Sequence, residues 1–241
     1  MIHVMQFERT IQLLGEERFR QLQAARVLLV GVGGVGGWCA EALVRTGIRH
    51  LTLIDMDTVA ESNLNRQLVA TRSNIGRNKV EEMRARLLSI CPEADIQAIA
   101  AKYDIDGMLD DGTTRTPIDL ARFDCIIDAI DMPDCKIRLI YEATRAIAPD
   151  GRFPILFSSM GAGRKVDTTS IRVTEFWKVE GCPLARALRT RMRKSGLLPD
   201  RKFLCVSSPE ISGTSGTVAP VVGVFGFTLA NLVIRTITGL D

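Results

Sequence analysis

The chain has 241 residues and a net charge of only +3, so a nucleic-acid-binding surface, if present, is a local basic patch. Hydrophobic residues make up 46% and charged residues 24%, which excludes an intrinsically disordered chain. The six cysteines include no C-x-x-C pair, which disfavours structural zinc and predicts a reducing, cytoplasmic environment. The N-terminus shows no apolar core of an export signal.

Hydrophobic periodicity predicts helices and strands that alternate along the first part of the chain. Helices are expected at residues 9–24, 38–46, 79–90 and 134–148. Strands are expected at residues 26–30, 51–54, 96–100, 125–127 and 154–157, whereas the Gly- and Thr-rich residues 106–117 predict a loop. This alternation predicts a doubly wound, mostly parallel sheet, a Rossmann-like α/β fold.

The pattern changes after about residue 160. Short strands are expected at residues 170–174 and 203–207, on either side of a basic helix at residues 183–194. We therefore expect a single domain, residues 1–241, with a nucleotide-binding half at about 1–160 and a decorated, substrate-facing half at about 161–241.

An uncharged apolar segment follows, at residues 218–234, and its length would allow it to cross a bilayer. Pro220, Gly223, Gly226 and Asn231 interrupt it. We interpret the segment as a buried core or dimer-interface helix and expect no membrane association.

A glycine-rich turn between two predicted strands is the most informative motif. It contains Gly31, Gly33, Gly34 and Gly36 and leads into a helix. Such a turn lets the backbone approach phosphates, and the helix N-terminus supplies N–H donors. Asp55 ends the next strand at a spacing typical of a carboxylate that binds ribose hydroxyls. This motif alone is also compatible with a nicotinamide-binding redox or sensor protein.

Charged residues beyond Asp55 favour ATP. Arg66 and Lys79 can hold triphosphate oxygens, and Asp131 can bind Mg²⁺. Hydride transfer does not need this set of cations, and no G-x-x-x-x-G-K-[ST] sequence is present, which excludes a P-loop. Further candidates for nucleotide binding are Asp57, Asn63, Gln67 and Asp128, of which Asp128 is interpreted as mainly structural.

Together these residues resemble the ubiquitin-activating-enzyme-like superfamily, in particular its ThiF/HesA/MoeB group. That group has Gly-x-Gly-Gly-x-Gly, an Asp ending the second strand, Asn-x-x-Arg-Gln, a Lys opening the next helix and Asp-x-x-Asp. All five elements occur here in that order. The resemblance implies an activating-enzyme fold and an ATP-dependent enzyme that adenylates a carboxylate, with Arg66, Lys79 and Asp131 as catalytic residues.

Within this superfamily the sequence is most similar to the dehydratases of threonylcarbamoyladenosine in tRNA. Residues 45–48, 53–57 and 127–131 carry the similarity, as do residues 161–163 and the Pro183-Leu184-Ala185 sequence before an Arg-rich helix. The resemblance implies a tRNA substrate, cyclisation of the adenylated carboxylate and a homodimer. The family often has an Arg before an aromatic residue near the N-terminus; here Gln6 precedes Phe7, and Arg9 is the candidate replacement.

Several alternatives stay open at this point. The substrate could instead be the C-terminus of a sulfur-carrier protein, which would make a sulfur-relay protein the partner. Cys182 and Cys205 are candidate nucleophiles, although no His is near them in sequence. A monovalent cation near residues 161–163 is a further open question. The Lys- and Arg-rich residues 186–202, extended by Arg164 and Lys165, are either a solvated surface or a contact for the tRNA backbone.

Overall fold

The computed structural model describes residues 5–240, and its centre is a seven-stranded sheet. Its strands, with those of a smaller sheet, are β1 (Arg26–Val30), β2 (His50–Ile54), β3 (Asp95–Ile99), β4 (Lys102–Tyr103), β5 (Met108–Asp110), β6 (Arg115–Pro117), β7 (Cys125–Asp128), β8 (Ile155–Ser159), β9 (Arg172–Glu175) and β10 (Leu204–Ser207). The strand order is β3-β2-β1-β7-β8-β10-β9, and the edge strand β9 is antiparallel to its neighbour whereas the other pairs are parallel. The predicted α/β fold with a mostly parallel sheet is confirmed.

Helices cover both faces of this sheet. They are α1 (Glu8–Leu14), α2 (Glu16–Ala24), α3 (Gly34–Thr46), α4 (Lys79–Ile90), α5 (Pro133–Ala143), α6 (Pro183–Ser195) and α7 (Ala219–Thr238). Side chains of β1 alternate between the faces: Val27 and Leu29 pack in the core with α3, α4 and α7, whereas Leu28 and Val30 pack in the core with α5 and α6. The sheet is therefore doubly wound.

Two predictions about local structure are wrong. The helix predicted over residues 9–24 is two helices, because Gly15 between them has φ +83°, a left-handed backbone that a helix does not tolerate. Residues 106–117 are not a loop, because β5 pairs with both β4 and β6 in a three-stranded antiparallel sheet. The Asp104 carboxylate stabilises it by accepting hydrogen bonds from the Met108 amide (2.9 Å) and from Nε of Arg115 (2.9 Å).

Other predicted elements are present with shifted ends. The helix expected at 38–46 begins at Gly34, and the helix expected at 134–148 ends at Ala143. The strand expected at 170–174 is β9 (Arg172–Glu175). The difference at the strand is of the size that element ends usually show. The two helix ends differ by more, and at Gly34 the glycine turn itself starts the helix.

Helix α7 contains most of the apolar segment whose length would allow it to cross a bilayer. Among the described residues it is long and apolar enough to span a bilayer by length and composition, but 56% of its apolar window is buried inside the protein. Gly226 lets α7 cross α3 closely, since a Cβ atom there would lie 2.5 Å from the carbonyl oxygen of Val35. The packing agrees with the interpretation as a core helix.

Candidate nucleotide-binding site

A cleft of about 680 Å³ lies at the carboxyl ends of the central strands. The chain runs from β1 outward to β3 on one side and from β7 outward on the other, so β1 and β7 flank the switch point where parallel α/β sheets bind ligands. Ten of the twelve residues predicted to bind nucleotide line this cleft: Gly31, Gly33, Gly34, Asp55, Asp57, Asn63, Arg66, Gln67, Lys79 and Asp131.

The glycines of the turn have two different roles. Gly31 has φ +96°, and a Cβ atom there would lie 2.5 Å from the carbonyl oxygen of Ala129. A Cβ atom on Gly36 would lie 1.9 Å from the carbonyl oxygen of Gly31, so both positions require glycine for the turn itself. Gly33 and Gly34 are less crowded and expose bare backbone at the start of α3. That backbone is where phosphates can approach the helix N-terminus.

Asp55 is fixed at the end of β2 by two backbone donors. Its carboxylate accepts hydrogen bonds from the amides of Val32 (2.7 Å) and Asp57 (2.8 Å). Burial raises the pKa of Asp55 above its usual value, although the two amides and nearby Lys79 act in the opposite direction. Each carboxylate oxygen retains a lone pair after these bonds, so the group can still accept from ribose hydroxyls.

Lys79 opens α4 and is almost fully buried, with 5% of its side chain exposed. Its ammonium donates to the carboxylate of Asp57 at 2.7 Å, whereas the Asp57 side chain is 59% exposed. The pair therefore places one buried positive charge on the wall of the cleft. A phosphate can compete with the exposed carboxylate for this ammonium.

Arg66 is half-buried, and one of its terminal nitrogens donates to the Ser62 carbonyl (2.7 Å) and to the Asn65 side chain (2.8 Å). Among the described residues, none bonds to its other guanidinium nitrogens, which leaves them available to phosphate oxygens. Asn63 shapes the same loop, because its side-chain oxygen accepts from the Ala60 amide at 3.1 Å. The buried Oε1 atom of Gln67 has no hydrogen-bond partner in the described structure.

The two carboxylates of the Asp-x-x-Asp motif differ sharply. Asp131 is exposed in the cleft, and no described residue forms a hydrogen bond or ion pair with its carboxylate. Asp128 is fully buried, pairs with Lys136 at 2.8 Å and accepts a hydrogen bond from the Ser158 hydroxyl at 2.7 Å. Because Lys136 also donates to the Ile130 carbonyl (3.1 Å), this pair supports the loop that carries Asp131. Asp128 and Gly36 do not line the cleft.

Side chains outside the predicted motifs complete the cleft. They come from β4, the β7–α5 loop, α6 and the segment before α7, and include Lys102, Tyr103, Met132, Leu184 and Thr217. Residues 106–117, which were predicted to form a loop, contribute two strands to the small sheet that positions Lys102. No signal in the sequence places these separated segments together.

Of residues 161–163, Gly161 and Ala162 line the cleft, whereas the remaining candidate residues lie outside it. The Gln6 side chain donates to the Ile90 carbonyl at 2.7 Å, and Arg9 is exposed. Cys182 and Cys205 are buried, and burial raises the pKa of Cys205 well above its usual value, which disfavours a thiolate nucleophile there. Lys165 is also buried and donates to the carbonyl of Ser208 at 3.0 Å.

A second cleft, of about 1190 Å³, is larger but lies at the opposite edge of the sheet, where β1, β7 and β8 begin. None of the predicted nucleotide-binding residues lines it. The smaller cleft is the candidate site because it combines bare backbone amides with three cations and three carboxylates at the switch point.

No group of three His, Cys, Asp or Glu residues that could hold a metal ion occurs within residues 5–240. The carboxylates at this edge instead belong to Asp55, Asp57 and Asp131. A single carboxylate with phosphate oxygens and water is a common way to hold Mg²⁺, so the exposed carboxylate of Asp131 fits that ion.

The sequence profile of the ThiF family matches residues 7–241 of the chain. The chain belongs to the ThiF family. The tRNA threonylcarbamoyladenosine dehydratase of Escherichia coli is 38% identical over 214 residues, which cover 85% of this chain and 73% of that protein. The crystal structure of E. coli tRNA N6-threonylcarbamoyladenosine dehydratase, TcdA, in complex with ATP matches with a TM-score of 0.83 and 31% identity, over 98% of this chain and 95% of that one.

A relative with a different substrate is also similar. The molybdopterin-synthase adenylyltransferase of E. coli is 30% identical over 238 residues, which cover 98% of this chain and 83% of that protein. Family membership therefore supports an ATP-dependent adenylating enzyme, and the two kinds of relative differ in what receives the adenylate.

Proposed function

We propose that the protein is an ATP-dependent dehydratase that adenylates the carboxylate of threonylcarbamoyladenosine in tRNA and cyclises it, releasing AMP and pyrophosphate. The observation that carries the proposal is the single cleft that joins the glycine turn, Asp55, Arg66, Lys79 and Asp131. The similarity over most of the chain to dehydratases of this nucleoside, one of them solved with ATP, supports the substrate.

In this reaction the substrate carboxylate attacks the α-phosphorus of ATP, and the bond to the β-phosphate oxygen breaks to release pyrophosphate. The carbamoyl group then attacks the adenylated carbonyl carbon and expels AMP, so the net loss from the nucleoside is one water. We assign ribose binding to Asp55 and charge stabilisation of the leaving pyrophosphate to Arg66 and Lys79. None of these steps needs a protein nucleophile, in agreement with the burial of Cys182 and Cys205.

We assign Mg²⁺ to Asp131. Its carboxylate is exposed in the cleft and unpaired among the described residues, whereas the Asp128 carboxylate is already paired with Lys136. When bound, Mg²⁺ would neutralise the phosphates of ATP. Replacing Asp131 with Asn should lower the affinity for magnesium and ATP together. A monovalent cation near residues 161–163 has no part in this scheme.

The direct test is incubation with ATP, magnesium and tRNA that carries threonylcarbamoyladenosine, followed by mass spectrometry of the nucleosides. The expected result is loss of one water from the modified nucleoside and formation of one AMP for each cyclised residue. Arg66→Ala should abolish this activity. Arg72→Ala is the matched control, because Arg72 is exposed and does not line the cleft. A full rate in Arg66→Ala would contradict the assignment.

The alternative substrate is the C-terminus of a sulfur-carrier protein, which the similarity to molybdopterin-synthase adenylyltransferase favours. That function predicts ATP–pyrophosphate exchange that depends on a carrier protein and is indifferent to modified tRNA. The same exchange assay with each substrate separates the two functions. Stabilisation by NAD in place of ATP would contradict both.

We further propose that residues 1–241 act as one adenylating unit, as a homodimer and in the cytoplasm. The single seven-stranded sheet and the two cores on its faces support one unit. The six free, buried cysteines are compatible with a reducing compartment. Sedimentation measurements test the oligomeric state.

A further inference from the structure

Positive charge is concentrated in one segment of the chain. Residues 176–202 contain eight Lys or Arg residues and two carboxylates, a net charge of +6, whereas the whole chain is +3. All other residues together therefore carry −3. Helix α6 lies in this segment and contains four Arg, one Lys and no acidic residue. Such a local field attracts phosphates even though the net charge of the chain is small.

Not every cation of this segment is available to a partner. Arg189 donates to the carbonyls of Phe176 (3.0 Å) and Val179 (2.9 Å), and Arg191 pairs with Asp134 at 2.8 Å. Arg201 donates to the Ala143 carbonyl and lines the cleft at the other edge of the sheet. These three side chains stabilise the fold around α6.

Three of the remaining five cations form an exposed surface with an aromatic ring. Arg186, Arg193 and Lys194 are exposed on α6, and no ion pair to them occurs among the described residues. The Arg193 guanidinium lies over the ring of Trp177 at 5.2 Å from its centroid, and Trp177 is 38% exposed. We call Trp177, Arg186, Arg193 and Lys194 the α6 platform.

The α6 platform is anchored to the protein core through the buried Phe176. Trp177 packs against Phe176 in an edge-to-face contact with centroids 5.2 Å apart, and Arg189 binds the carbonyl of Phe176. The first turn of α6 carries Leu184, which lines the cleft. Arg186 and Arg193 lie about half a turn around the helix axis from Leu184, on one side of the helix, two turns or about 10 Å apart at 1.5 Å per residue.

We propose that the α6 platform binds the RNA strand next to the modified nucleoside while that nucleoside occupies the cleft. This inference rests on the proposed function for the identity of the substrate. Single-stranded RNA is bound by aromatic rings and guanidinium planes that stack on bases, together with cations that contact phosphates. The Trp177–Arg193 pair supplies the stacking surface, and Arg186 and Lys194 supply the phosphate contacts.

The test measures the Kd of tRNA by fluorescence anisotropy over a range of salt concentrations, and the KM and kcat of cyclisation. Arg186→Ala and Lys194→Ala should each lower the slope of log affinity against log salt by about 0.7, the value for one phosphate on a single strand. Trp177→Ala should weaken binding by about 5-fold or more and leave that slope unchanged, because stacking is not ionic. All three should raise KM for tRNA without changing kcat or the affinity for ATP.

Two controls keep the test decisive. Arg20→Ala removes an exposed Arg from α2 and should change neither affinity nor slope. Trp177→Phe retains an aromatic surface and should recover much of the binding lost in Trp177→Ala. If Trp177→Ala does not fold, the Arg186 and Lys194 variants decide the result.

The proposal is overturned if the Arg186 and Lys194 variants bind tRNA with the same affinity and salt slope as Arg20→Ala. The proposal is also overturned if the Arg186 and Lys194 variants impair only a reaction with a carrier protein. Failure of the proposed function would give a different result from failure of this inference. The wild-type protein would then form no cyclic nucleoside at all, while the anisotropy measurement would still test tRNA binding by the α6 platform.

Discussion

Replacing Lys79 by Met should weaken ATP binding strongly while it hardly changes the stability of the free protein. The Lys79 ammonium is 5% exposed and lies 2.7 Å from Asp57, whose side chain is 59% exposed. Removing one partner of an ion pair is costly when the other charge is buried, but the exposed Asp57 carboxylate stays hydrated when Lys79 becomes an apolar residue of similar shape. We therefore expect the free energy of unfolding without ATP to change by less than about 1 kcal/mol.

The effect on ATP should be much larger. A hydrogen bond to a charged group contributes about 1.5–3 kcal/mol, so loss of the ammonium should raise the Kd of ATP about 10- to 150-fold. At an ATP concentration of about 100 times the wild-type Kd, the wild-type protein gains about 2.7 kcal/mol of stability. A variant with 100-fold weaker affinity gains about 0.4 kcal/mol at the same concentration.

Thermal unfolding with and without ATP and magnesium measures both quantities, with calorimetric titration for the Kd. Asp57→Asn should instead destabilise the free protein, by about 1–3 kcal/mol, because it leaves a buried ammonium without its anionic partner. Binding of ATP should restore much of this stability. Lys202→Met, at an exposed position of the other cleft, is the control. Stabilisation of Lys79→Met by ATP to the wild-type extent would refute the role of Lys79 in phosphate binding.

Three further predictions concern the packing of α7 and the carboxylates of Asp128 and Asp55. Gly226→Ala should lower the free energy of unfolding in urea by about 1–3 kcal/mol, because its Cβ atom would meet the backbone of α3. In the control Gly223→Ala the nearest atoms lie 4.0 Å away, so stability should be unchanged or higher by up to about 1 kcal/mol. Lys136→Met should cost about 3–5 kcal/mol by leaving the buried Asp128 unpaired, and the same urea assay should show recovery when Asp128→Asn is added. Asp55→Asn should leave one backbone amide without an acceptor and weaken ATP binding by about 10-fold or more in calorimetric titration; an unchanged Kd would contradict ribose binding by Asp55.

The alternation of helices and strands and the order of the site motifs follow from the sequence. Hydrophobic periodicity is local, so it identifies β1, β2, α4 and β7 with small errors at their ends. The glycine turn and Asp55 also belong to one βαβ unit, in which short connections fix the geometry. The resemblance to the activating-enzyme superfamily rests on these ordered motifs and predicts the family that the comparison confirms.

Contacts between distant segments were decided only by the tertiary structure. The sheet of β4, β5 and β6 depends on Asp104 and Arg115, and a Gly- and Thr-rich composition does not reveal that pairing. The same holds for Lys102 and Leu184, which reach the cleft from segments far apart in sequence. Periodicity reports which face of an element is buried, but not which other element covers it.

Charged residues show most clearly what the sequence determines and what only the tertiary structure decides. The sequence shows a run of cations around α6 and two aspartates in one motif, but it does not show which charges are already paired. In the fold, Arg189 and Lys165 donate hydrogen bonds to backbone carbonyls, and Asp128 is buried against Lys136. Arg193 and Asp131 stay exposed. Whether a charged side chain is free to bind a ligand depends on neighbours that are distant in sequence, and only the packed structure determines those neighbours.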